Sequence, residues 1–215
     1  MRAISLKALG IAAVASLSAC HHAKPEPGAP NPEAQRLGAI AGQPLLIAPV
    51  QSLKVAPELG WSSLPRVVDI LASLDRALTD TLRARVANPQ WVFAEALVQS
   101  AKNNPTYATD PHALSVQALR VPSLQVAQRL SEPLATQVRT MLALHDGRLV
   151  LIPVELRFDR TATGVGHPVL RLVMVDPRLS TVQWIGDVVG DDTPTFVPAF
   201  SARIAERLAD LFIAK

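Results

Sequence analysis

Three carboxylates near the C-terminal end have the residue type and spacing for metal chemistry. Asp187, Asp191 and Asp192 stand just ahead of Thr193 and Pro194. Carboxylate oxygens are ligands of hard cations such as Ca²⁺, but the ligand-rich loop of a dedicated calcium site is missing here. Negative charge is also favourable at the N-terminus of a helix. We therefore expect these residues to precede and cap the last helix, with metal binding as the weaker alternative.

The only cysteine of the chain suggests a second chemistry, the attachment of lipid. Cys20 follows Leu17-Ser18-Ala19 at the end of a basic, then apolar N-terminal stretch, which is typical of an export signal over residues 1–19. Its apolar part is shorter than the roughly 20 residues that span a bilayer. The ending resembles the lipobox of bacterial lipoproteins, whose cysteine becomes an acylated N-terminus. The resemblance implies a membrane anchor at Cys20, and the following His21, in place of aspartate, implies the outer membrane.

Motifs of catalytic centres are missing from the sequence. It has neither the Gly-x-Ser-x-Gly turn of serine hydrolases nor the glycine-rich loop that holds phosphates. His145 and Asp146 end a predicted helix, where a histidine interacts favourably with the helix C-terminus, so a structural role is favoured there. Two functions remain open: a non-enzymatic interaction module, or a periplasmic hydrolase or small-ligand-binding protein with a dispersed site.

Composition narrows the possible partners. The chain has 215 residues and 21 Lys and Arg against 18 Asp and Glu; loss of Arg2 and Lys7 with the leader lowers the basic count to 19. A nearly neutral chain without a basic cluster gives no reason to expect nucleic acid as a partner. A single cysteine also permits no disulfide within the chain, so stability must come from a hydrophobic core. We expect no cofactor.

Two regions are predicted after the leader. Residues 20–43 contain Pro25, Pro27, Pro30 and Pro32 and few large apolar residues, which is typical of an extended tether. Residues 44–215 are long enough for one domain of common size. We expect a single periplasmic α/β domain held off the membrane by this tether.

The pattern of apolar residues predicts the elements of that domain. Strands are expected at 44–50, 91–93, 148–158, 169–175 and 181–189, and helices at 64–87, 95–102, from Asp110, after Ser131 and from Thr193. The order β-α-β-α-α-β-β-β-α indicates an α/β (α+β) fold. A mixed β-sheet of about five strands would have helices packed on one or both faces.

Two segments of this domain resemble a known group of proteins. Leu46 to Val50 read Leu-Ile-Ala-Pro-Val, and the hairpin from Val173 to Gly186 ends in Val-Gln-Trp-Ile-Gly. Both are similar to the periplasmic α/β domains of outer-membrane lipoproteins, namely the curli-assembly lipoproteins and the lipoprotein activators of penicillin-binding proteins. The resemblance implies an envelope protein that binds other proteins. No segment resembles a pore-forming hairpin, so channel assembly is not implied.

One of the three tryptophans is a candidate for contact with a partner. Trp91 and Trp184 lie in or beside predicted strands and are expected in the core. Trp61 follows a glycine in a predicted loop, and exposed tryptophans are frequent among binding hot spots. We predict that Trp61 binds an envelope protein, while lipid on Cys20 holds the molecule to the periplasmic face of the outer membrane.

Overall fold

The computed structural model describes residues 37–213, so the leader, Cys20 and most of the proposed tether lie outside the described residues. The strands are β1 (Leu45–Ile47), β2 (Leu53–Val55), β3 (Leu149–Arg160), β4 (Gly166–Asp176) and β5 (Thr181–Val189). The helices are α1 (Val67–Arg85), α2 (Ala94–Asn103), α3 (Glu132–Ala143) and α4 (Phe200–Ile213). Within this part of the chain, every helix is too short or too polar to cross a membrane.

The five strands form one mixed sheet, which confirms the predicted fold class. Strand β3 pairs in parallel with both β1 and β2, and antiparallel with β4, which continues to β5. The β3–β4 register shifts between Pro153 and Glu155, separating the stretches of β3 that pair with β1 and β2. Proline has no N–H to donate, so an irregular position is where a sheet tolerates it.

The turn between β4 and β5 follows from the chemistry of its first residue. Asp176 Oδ1 accepts hydrogen bonds from the backbone N–H of Arg178 (2.9 Å) and Leu179 (3.1 Å). This is the arrangement by which aspartate stabilises turns. The second oxygen lies 3.4 Å from Arg148 Nη2, so the buried charge of Asp176 has a cationic partner.

Helices cover both faces of the sheet and enclose two hydrophobic cores. On one face α1 contributes Ile70, Leu74, Leu78 and Leu82, and α4 contributes Phe200, Ile204, Leu208 and Phe212. On the other face α3 contributes Leu134, Ala135, Val138 and Met141, together with residues of the long loop before it. Arg85 near the end of α1 contacts Asp210 (2.8 Å) near the end of α4, so these helices run in the same direction.

Two predicted strand positions differ in detail from the structure. Residues 91–93 form only one bridge, in which Val92 exchanges hydrogen bonds with Leu45 and Ile47 of β1 (2.9 and 2.8 Å). Helix α2 begins directly after Phe93, so this segment has no room for a longer ladder. Strand β2 was not predicted, because the alternation of Leu53, Lys54 and Val55 covers only three residues, too few to indicate a strand.

Two predicted helix starts are wrong. Asp110 begins a turn, closed by its side chain accepting the N–H of His112 (3.0 Å), and the only helical residues between Asp110 and α3 form a 3₁₀ turn at Gln117–Leu119. The last helix begins at Phe200 and not after Thr193. Thr193 instead exchanges two backbone hydrogen bonds with Gly166 of β4 (2.7 and 2.9 Å), and this pairing replaces the helix.

The described chain begins with residues that pack on the domain. Residues 37–40 are helical, Leu37 is fully buried in the core under α1 and α4, and Ile40 packs against it. Asn88 Nδ2 donates to Ala41 O (2.7 Å) and Trp91 Nε1 to Gln43 O (3.1 Å). The packed region therefore reaches back at least to Leu37, into the stretch expected as tether.

Candidate functional site

Trp61 lies where three loops meet at one end of the molecule. Its Nε1 donates to Pro194 O (3.1 Å), and its ring meets Phe158 and Phe196 edge-on at centroid distances of 5.2 and 6.2 Å. Gly166 is required beneath the indole, since a Cβ there would lie 2.4 Å from the ring. We call this end, formed by loops 56–66, 161–165 and 190–199, the Trp61 end.

The indole of Trp61 is half-buried, and these contacts connect the loop before α1 with the loop before α4. Trp61 therefore has a structural role, and part of its surface faces solvent. Its contact with a partner remains a prediction.

Exposed apolar side chains follow Trp61 closely in the sequence. Val67 and Val68, in the first turn of α1, are 54% and 62% exposed. Both valines fit the apolar period of the helix, but its buried stripe begins only at Ile70. Val189 and Val197 of the same end are also exposed. A contiguous apolar patch left in water is typical of a contact surface, and these four valines are the candidates for such a patch at the Trp61 end.

The three carboxylates considered as metal ligands contact different arginine and histidine side chains. Asp187 contacts Arg157 (2.9 Å) and Arg171 (3.6 Å) on the sheet. Asp192 contacts His167 Nδ1 (2.5 Å), which gives that histidine the partner not evident from sequence. In the part of the chain that the structure describes, no three such side chains come together as metal ligands.

Asp191 contacts two side chains on the flank of α4 rather than the N-terminus of this helix. The carboxylate pairs with Arg203 (3.0 Å) and Arg207, one turn apart on the helix. The hydrogen bond from Arg203 is the main cause that lowers the pKa of Asp191. The expected capping of the last helix is therefore wrong for this residue, which holds the preceding loop against the side of α4.

A second candidate site is a groove between α1, α2 and the loop after α2. Two adjoining cavities of about 430 and 330 Å³ share Val98, Lys102 and His112 in their walls. Ala72, Ala94, Ala101, Pro105 and Ala108 form most of the remaining apolar wall. We call these two cavities the α1–α2 groove. Part of its wall belongs to a loop of more than 20 residues between α2 and α3, and loops of this length in compact domains are usually functional.

Asp75 of α1 lines this groove and is the most perturbed acid among the described residues. Its Oδ1 accepts the backbone N–H of Val50 (2.8 Å), which joins α1 to the segment after β1. Burial raises the pKa of Asp75 to about 6, against the smaller opposing effects of that hydrogen bond and of His112. Perturbed carboxyl groups in clefts are candidates for functional residues.

His112 adds a second titratable group to the groove. Its Nδ1 lies 3.2 Å from Asp110 Oδ1, and the backbone hydrogen bond from His112 is the main cause that lowers the pKa of Asp110. His145, the histidine singled out in the sequence, lies outside the groove, and burial lowers its pKa. The fold thus brings together Asp75, Asp110 and His112, none of which the sequence indicated as functional.

Comparison with known proteins gives similar structures but no family. No family model and no curated protein matches the chain. The C-terminal domain of LpoB from Salmonella enterica is 13% identical with a TM-score of 0.41, covering 74% of this chain and 92% of that one. Escherichia coli LpoB is 12% identical with a TM-score of 0.40, covering 88% and 84%.

A dodecameric PelC from Paraburkholderia phytofirmans is also similar, at 14% identity and a TM-score of 0.37, covering 80% of this chain and 88% of that one. LpoB is a lipoprotein activator of a penicillin-binding protein, the group that the sequence resembles. These likenesses concern the arrangement of sheet and helices, and no residue role is carried over from them.

Proposed function

We propose that this protein is a lipid-anchored, non-enzymatic component of the bacterial cell envelope that binds a protein partner through the Trp61 end. The observation that carries this proposal is the exposure of Val67 and Val68 at the start of α1, six and seven residues after the half-buried Trp61. Burying two valines and the free part of an indole in an interface would remove apolar surface that the fold leaves in water.

The anchor rests on the lipobox-like sequence that ends at Cys20. Acyl chains there would hold the protein to the membrane, because each buried methylene contributes about 0.8 kcal/mol. His21 after the cysteine favours the outer membrane, and the export signal favours its periplasmic face. The domain would then meet partners within the envelope.

Partner binding is tested by placing charge on the exposed valines. The double variant Val67→Glu/Val68→Glu puts carboxylates into the first turn of α1, where negative charge is favourable for the helix. We expect at least about a tenfold loss of partner capture from detergent-solubilised envelopes, with an unchanged melting temperature, since a buried charge is costly at an interface.

The matched control is Val121→Glu/Val126→Glu, which changes two exposed valines of the loop before α3. This control is expected to capture the partner as the unchanged protein does. Equal capture by both double variants would contradict binding at the Trp61 end.

The α1–α2 groove favours a second function, the binding of a small ligand. It is a concave site with mostly apolar walls and a few polar groups that converge on it, as ligand sites usually are. The hydrolytic form of this alternative has less support, because no serine, threonine or cysteine lines either cavity as a nucleophile.

A further inference from the structure

Asp75 has no ion-pair partner among the described residues, although it is half-buried. Glu58, Asp80, Glu95 and Asp146 also lack an ion pair, but all four are exposed. The buried Asp176 pairs with Arg148. A sheltered carboxylate is costly unless it is paired and hydrogen-bonded. Asp75 therefore has an unmet requirement for a positive charge.

The groove in front of this carboxylate has room for a small organic molecule. The N–H of Val50 donates a hydrogen bond to Oδ1 of Asp75, and no group of the described residues donates to Oδ2. The cavity that Asp75 lines has a volume of about 330 Å³ and continues, past Val98, into one of about 430 Å³. Six of the thirteen residues that line the two cavities are alanine, valine or proline, so an apolar chain would pack there.

The charged groups around Asp75 leave the groove negative near neutral pH. They come from α1, α2 and the loop after α2, and are Arg76, Glu95, Lys102, Asp110 and His112. With His112 neutral, three carboxylates face two permanent cations. This excess complements one positive charge.

We propose that the α1–α2 groove binds a small organic compound with a primary ammonium group on an apolar chain, the ammonium pairing with Asp75. This inference rests on the second function proposed above and is independent of partner binding at the Trp61 end. The ammonium supplies the charge that Asp75 lacks, and the chain replaces water along Val98 and the alanines.

The test is a titration of the purified protein with n-hexylammonium at pH 7.5, compared with 1-hexanol, which has the same chain without the charge. Binding is followed by the NMR shift of the Val50 amide, whose N–H contacts Asp75 directly. We expect saturable binding of hexylammonium and at least about tenfold weaker binding of hexanol, the loss typical for a hydrogen bond to a charged group.

Three variants connect this binding to the groove. Asp75→Asn retains an acceptor for Val50 N–H and removes the charge, so it should bind hexylammonium no better than hexanol. Asp80→Asn, an exposed change on the same helix, should bind as the unchanged protein does. Val98→Phe fills the groove without altering charge and should also abolish binding.

Several results would overturn the proposal. They are equal affinity for hexylammonium and hexanol, undiminished binding by Asp75→Asn, or no saturable shift in the unchanged protein. The comparison of the two compounds uses only the unchanged protein, so the test stands even if a variant fails to fold. If partner binding at the Trp61 end were disproved, the result of this titration would still stand.

Discussion

Individual residues differ in how their charge is compensated by the fold. Asp187 and Asp191 each pair with arginine and Asp192 contacts His167, whereas Asp75 has only the N–H of Val50. The sequence could not reveal this difference. Asp75 stands next to Leu74 in an ordinary amphipathic helix, and its shelter depends on residues far along the chain.

The titration of Asp75 should appear in the pH dependence of stability. Its folded-state pKa of about 6 lies above the ordinary 3.8, so the folded protein binds this proton more tightly than the unfolded chain. The resulting stabilisation is present below about pH 4 and is lost as the pH rises through 6. Between pH 4.5 and 7 we expect a loss on the order of 1 kcal/mol at this residue, allowing for its partial exposure.

Urea unfolding at both pH values measures this effect. Asp75→Asn should remove that part of the pH dependence, while Asp80→Asn should retain it. An identical pH dependence in the unchanged protein and in Asp75→Asn would show that Asp75 has an ordinary pKa.

At the scale of elements, the sequence predicts best where local pattern and tertiary packing agree. Strand β5 occupies the predicted residues 181–189, because its alternation and its turn at Asp176 require the same register. The start of α4 was misplaced because Thr193-Pro194 is a good local cap, yet the pairing of Thr193 with Gly166 holds it in extended form. Val67 and Val68 fit the apolar period of α1 but lie ahead of its buried stripe.

The buried face of α4 gives a direct test of the packing of this element. Ile204 is fully buried, and Ile204→Ala should lower the free energy of unfolding by about 2–5 kcal/mol. Arg207 lies on the exposed side and pairs with Asp191, so Arg207→Ala should cost no more than about 1 kcal/mol. Chemical denaturation measures both. Similar losses for the two variants would mean that the assigned faces of α4 are wrong.

At the scale of the whole molecule, the domain is a β-sheet covered by helices on both faces. The first described residues pack close to the C-terminal ends of α1 and α4. Composition suggested a tether up to residue 43, because proline and small residues dominate that stretch. Leu37 and Ile40 are nevertheless part of the packing, and single apolar residues in a proline-rich context give no periodic signal. The candidate site was least predictable, since the groove joins residues from α1, α2 and a loop.

Truncation tests where the packed domain begins. A chain starting at residue 37 should unfold as the full chain does, whereas one starting at residue 44 should lose about 2–5 kcal/mol with the buried Leu37. Leu37→Ala in the full chain should reproduce most of that loss. Equal stability of the two truncated chains, measured by thermal and urea unfolding, would show that residues 37–43 add nothing to the fold.

The proposed membrane attachment depends on acylation of Cys20. Cys20→Ser should abolish labelling with radioactive palmitate and release the protein from the membrane fraction, because serine cannot replace the acylated thiol. The double variant Val67→Glu/Val68→Glu should remain labelled, which separates anchoring from partner binding. Unchanged labelling and fractionation of Cys20→Ser would contradict the lipoprotein assignment.

The most direct test of partner binding at the Trp61 end is photo-cross-linking in intact cells. A benzophenone amino acid is placed at Val68 or, as a control, at Leu179, which is 65% exposed in the turn at the opposite end of the sheet. We expect irradiation to give one discrete adduct with an envelope protein from position 68 and none from position 179. No adduct at position 68, or the same adduct from both positions, would contradict binding at the Trp61 end.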